Sequence, residues 1–131
     1  MLRLFLGASA LLWLPYGLFC FFDPGYLAEA AGVTSTTPTG TIELRAMYGG
    51  LQAALGVLAG AALLRVALRR PALLTLAFVG AGLFTARLLG AVMSSDFSSY
   101  TVMALLLELT TSVFATALLA RLEPREAVAI G

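Results

Sequence analysis

The sequence predicts an all-α, integral-membrane four-helix up-down bundle, and three observations carry that prediction. Hydrophobic residues make up 60% of the 131, and the mean hydropathy is +0.96, far above the range of a soluble domain of this length. Four apolar runs reach the ~20 residues that a helix needs to cross a ~30 Å hydrocarbon core. The polar stretches between them are short, so consecutive helices must run antiparallel.

Composition also narrows the chemistry. There is no histidine and one cysteine, Cys20. That set excludes His/Cys zinc sites, His-ligated haem and Ser-His-Asp catalysis, so neither a metal nor a cofactor is expected. Eight basic residues against seven acidic ones leave no electrostatic footprint for nucleic acid.

The chain reads as a single four-span domain over 1–131. The first span, 2–22, follows Arg3 like a signal peptide, but its hydrophobicity continues past Ala8-Ser9-Ala10, which marks an uncleaved helix. Pro15 lies inside it and is expected to kink it. Ser9, Trp13, Tyr16 and Cys20 share one helical stripe. Asp23-Pro24 reads as an acidic N-cap followed by proline at the first helical position, opening a short interfacial helix in the first outer loop. A threonine-rich connection follows, and the second span covers 42–64. In that span Gly56 and Gly60 form a small-xxx-small pair suited to close helix contact. Pro71 opens the third span, 71–93, where Gly82, Ala86 and Gly90 suggest another seam. The fourth span, 100–122, carries Thr110, Thr111, Ser112 and Thr116, whose hydroxyls can bond carbonyls one turn back. A mixed-charge tail beyond it is expected to fray.

Arginine bias sets the topology. Arg3, Arg65, Arg69, Arg70, Arg121 and Arg125 flank the N-terminus, the second connection and the C-terminus, while the first and third connections have no basic residue. Both termini are therefore expected in the cytoplasm, as in a multi-pass protein of a bacterial inner membrane.

A few charges fall at or within the membrane on the outer side. Arg87 lies roughly 9 Å below the outer end of span three, and Glu108 roughly 12 Å into span four, at ~1.5 Å per residue. An isolated charge at such depth costs ~2.5–3.5 kcal/mol, so the two are expected to pair. Arg45, Tyr48, Gly49, Gln52 and Gly56 descend one face of span two toward them. Glu43 is turned roughly 200° from Arg45 and faces elsewhere. The ligand-binding set is accordingly Arg45, Tyr48, Gln52, Arg87, Glu108, Tyr16 and Trp13, with Glu108 the single candidate for acid–base chemistry. A buried ion pair that only fixes helix register is the competing account.

Glu43-Leu44-Arg45-Ala46-Met47-Tyr48-Gly49-Gly50-Leu51-Gln52, with Gly56, Arg87 and the four-span layout, resembles a family of small bacterial membrane proteins known as domain of unknown function 4345. The resemblance covers most of the chain, and Glu-x-Arg-x-x-Tyr-Gly-Gly is its specific part. It implies a four-helix inner-membrane protein and no particular reaction. The four-helix DoxX-like proteins are more loosely similar.

The functional expectation is a non-enzymatic protein that binds a lipid-like, amphiphilic or anionic small molecule, or a partner subunit, through the outer-side cluster. A homo-oligomer or a larger membrane complex would fit the same surface. A membrane enzyme acting on a lipid or isoprenoid through Glu108, and a small proton-coupled transporter, are the alternatives.

Overall fold

The computed structural model describes residues 1–129, with side chains described through Leu122, and every regular element among them is helical. The frayed tail expected over 121–131 is corrected as far as the backbone is described, because the last helix continues through Ala129; residues 130–131 lie outside the described residues. Four helical segments are long and apolar enough to cross a membrane: Leu2–Phe22, Pro38–Leu64, Val66–Ser94 and Ser99–Leu122. The residues form two compact units, Arg3–Arg65 and Val66 onward.

In the first unit, α1 (Leu2–Phe22) contains Pro15 without interruption. Asp23 is the residue that closes α1, its amide donating to the Phe19 carbonyl. The N-cap assigned to Asp23 from sequence is corrected: Pro24 and Gly25 form the turn, and α2 (Tyr26–Ala31) starts with Gly25 as its cap. Asp-Pro carries both signals, and here the need to terminate a 21-residue apolar helix uses the aspartate first. Gly32, at φ +67°, ends α2 in the left-handed conformation that glycine adopts without a Cβ penalty.

The second membrane segment starts at Pro38, where Thr37 caps the Gly40 amide through its hydroxyl. It is not uniformly α-helical. After α3 (Pro38–Leu44), Arg45–Gly50 form a π-helical turn, closed by a bond from the Leu51 amide to the Ala46 carbonyl, before α4 (Leu51–Leu64) resumes. Gly49-Gly50 is the weakest helix-forming pair in the segment, and the wider i→i+5 turn ends on it.

α1 and α4 pack antiparallel through glycine. A side chain at Gly17 would overlap the backbone of Gly49 and Ala53, one at Gly49 would overlap Phe21, and one at Gly56 would overlap Leu14; Gly60 lies against Ala10. The residues 10, 14, 17 and 21 thus match 60, 56, 53 and 49 in one antiparallel register. Without a hydrophobic gradient between lipid and protein, such close backbone approach is what brings membrane helices together.

The second unit pairs α5 (Arg69–Ser94) with α6 (Ser99–Ala129). The close point is Gly80, where a Cβ would press on the Glu108 carbonyl and Ser112. The seam expected at Gly82, Ala86 and Gly90 is not used that way: all three are exposed, and neither glycine has an atom within 4 Å of its would-be Cβ. Four-residue spacing of small residues marks a face that can pack, and the adjacent face containing Gly80 is the one that does. Thr110 and Thr116 bond carbonyls one turn back as expected, whereas Ser112 donates across to the Ala77 carbonyl of α5 at 3.0 Å.

Candidate functional site

Arg87 and Glu108 are joined directly. Arg87 Nε donates to both Glu108 oxygens, at 3.0 and 3.1 Å, and Nη2 donates to Oε1 at 2.7 Å. This is the bidentate geometry that a planar guanidinium gives with a carboxylate. The Glu108 side chain is 4% exposed and that of Arg87 28%. The Arg87 guanidinium carbon also lies 5.9 Å from the centroid of the Tyr100 ring, within cation–π range. Tyr100 was not singled out from sequence; its signal was its place two turns before Glu108 on the same helix.

The first unit gathers the rest. On α1, Trp13 and Tyr16 immediately precede the contact residues Leu14 and Gly17; on the second segment, Tyr48 and Gln52 immediately precede the contact residues Gly49 and Ala53. Equal offsets from an antiparallel contact line fall on the same side of it. The two stripes seen in the sequence therefore meet along one flank of the α1–α4 pair, where Cys20 and Ser9 continue α1's share.

That flank carries buried polar atoms without partners. Trp13 is 5% exposed, and its indole Nε1 has no hydrogen-bond acceptor. Gln52 is half-buried, and its Oε1 has no donor. Such orphans are uncommon in folded proteins because each forfeits its hydration without replacement.

Arg45 sits at the end of the flank beside the C-terminus of α1 and is exposed. Its Nε donates to the Phe21 carbonyl at 3.1 Å. This satisfies one of the carbonyls that the end of α1 leaves without an intrahelical partner and places a cation at the negative end of the helix dipole. No carboxylate among the described residues pairs with Arg45. At the Tyr48-Gly49-Gly50 step the neighbouring helix that approaches is α1, which packs on Gly49 through Phe21.

No curated protein and no solved structure matches this chain. One family model does, described as Domain of unknown function (DUF4345), over residues 1–119. That match spans all four membrane segments apart from the last residues of α6, and the chain belongs to this family.

Proposed function

We propose that this protein is a non-enzymatic, multi-pass protein of a bacterial inner membrane that binds a small amphiphile, its polar head at Arg45 and its body along the α1–α4 flank. The observation that carries this reading is the pair of buried, unpartnered polar atoms, Trp13 Nε1 and Gln52 Oε1, on one flank. A ligand offering an acceptor and a donor along its length would satisfy both. The lipid bilayer supplies molecules of this kind, and a partner subunit or a second copy of the chain would use the same surface.

The acid–base alternative has less support, because both oxygens of Glu108 are engaged by Arg87. Each of those oxygens accepts a bond from the guanidinium, and the Glu108 side chain is 4% exposed, which leaves a substrate little access to it.

Native mass spectrometry of the purified protein tests the reading. The native chain is expected to retain a co-purified amphiphile, and Gln52→Leu to lower that retention by roughly three- to tenfold, the worth of one hydrogen bond. Unchanged retention in Gln52→Leu, or a native protein without bound amphiphile, would sink it.

A further inference from the structure

A groove of about 230 Å³ opens in the first unit between the turn that follows α1, α2 with the loop after it, and the second half of α3. Its lining is uncharged: Pro24, Gly25, Ala28 and Leu44 form apolar walls, and Thr34, Ser35 and Thr41 supply hydroxyls. Two of those hydroxyls are oriented, since Ser35 Oγ and Thr41 Oγ1 both donate to the Thr37 carbonyl, at 2.9 and 3.2 Å, while Ser35 Oγ also accepts from the Thr37 amide at 3.3 Å. Charge stands at the margins instead. Asp23 Oδ1 lies 3.3 Å from the position a Gly25 side chain would begin, beside the groove wall. Arg45 follows the lining residue Leu44 directly and is tied to Phe21, two residues before Asp23. The anion and the cation thus flank one neutral groove at the end of α1, and no ion pair joins them. Both are exposed.

The geometry points to a zwitterionic phospho-amine headgroup as the ligand of this groove: a phosphate on Arg45 and a primary ammonium, two carbons away, on Asp23. This inference rests on the amphiphile reading above and names the head that Arg45 would hold. Net charge favours it over a purely anionic head. Asp23 stands beside the groove wall and balances the charge of Arg45, so an anion without a compensating ammonium would leave that carboxylate unanswered. Size favours it too, because the groove falls below the ~300–1,000 Å³ of sites that enclose a whole drug-sized molecule and suits a headgroup whose chains stay in the bilayer. Two sources carry this chemistry, a phosphatidylethanolamine lipid and free phosphoethanolamine.

The experiment is native mass spectrometry of the full-length protein in detergent with equimolar phosphatidylethanolamine and phosphatidylglycerol. The native chain is expected to prefer phosphatidylethanolamine about fivefold, the upper worth of one exposed charge pair. Asp23→Asn should abolish that preference, and Arg45→Gln should lower adducts of both lipids, with circular dichroism confirming unchanged helix content. Displacement of the lipid by excess phosphoethanolamine would show that the headgroup alone is recognised; persistence of the lipid adduct would assign the lipid as the source. Equal binding of the two lipids by the native chain, or an unchanged ratio in Asp23→Asn, would overturn the zwitterionic site while leaving Arg45 as an amphiphile anchor. Unchanged adducts in Arg45→Gln would overturn both.

Discussion

Three arginine side chains show how a single residue's surroundings decide its role. Arg87 is bound on its carboxylate side by Glu108 and overlaid on Tyr100; Arg45 gives one nitrogen to a helix-end carbonyl; Arg69 has a buried Nε without a partner. The Arg87–Glu108 pairing was legible because helical rise puts both residues at one depth on consecutive helices, and an unpaired charge at that depth is expensive. The orphaned atoms of Trp13 and Gln52 were not legible, since satisfaction depends on neighbours that a sequence does not list. Breaking the pair separates structure from function. Arg87→Met leaves a buried, uncompensated carboxylate and should cost ~3–5 kcal/mol in detergent-unfolding stability, whereas the double variant Arg87→Met/Glu108→Met should recover most of it. If the double variant is as unstable as the single one, the pair contributes more than charge compensation. Retained amphiphile in a stable double variant would mark Arg87 and Glu108 as a register device outside the binding surface.

At the scale of elements, the second membrane segment is where sequence arithmetic works least well. A fixed turn of ~100° per residue carries a face from Arg45 to Gly56 only if the helix stays α, and the π turn at Arg45–Gly50 resets that phase. The face nevertheless holds from Tyr48 onward, because Gly49 is fixed by its contact with Phe21 and the helix beyond Leu51 is regular. Glycine spacing was similarly half-legible. Gly56 is buried against Leu14 as the Gly-xxx-Gly reading expected, while Gly82 and Gly90 meet nothing and Gly80 takes the contact. Spacing identifies candidates, and only the partner helix selects among them. Substitution tests the distinction. Gly56→Val should destabilise the protein by about 1–3 kcal/mol through overlap with α1, and Gly82→Ala should be neutral or gain up to ~1 kcal/mol from helix propensity. Both are read from denaturation midpoints in the same detergent; a larger loss in Gly82→Ala than in Gly56→Val would refute the assignment of the two faces.

For the whole molecule, four helices long and apolar enough to cross a membrane mark a multi-pass membrane protein, and arginine placement predicts its orientation. The connection that carries Arg65, Arg69 and Arg70 has the bias expected of a cytoplasmic loop, whereas the 23–41 connection has two acids and no basic residue. The proposed headgroup site depends on this orientation, because the groove at Pro24 to Leu44 faces the outer leaflet only if the first connection is outside. In a Cys20→Ser background, single cysteines at Ser35, Ser98 and Ala67 report each connection separately; all three positions are exposed apart from a half-buried Ser35. With a membrane-impermeant maleimide applied to right-side-out vesicles, Ser35→Cys and Ser98→Cys should label without permeabilisation, and Ala67→Cys only after it. The opposite pattern would place the groove in the cytoplasm and move its ligand to the inner leaflet. Equal labelling of all three before permeabilisation would mean that the chain inserts in both orientations, and the arginine bias would then be too weak to fix which leaflet Arg45 addresses.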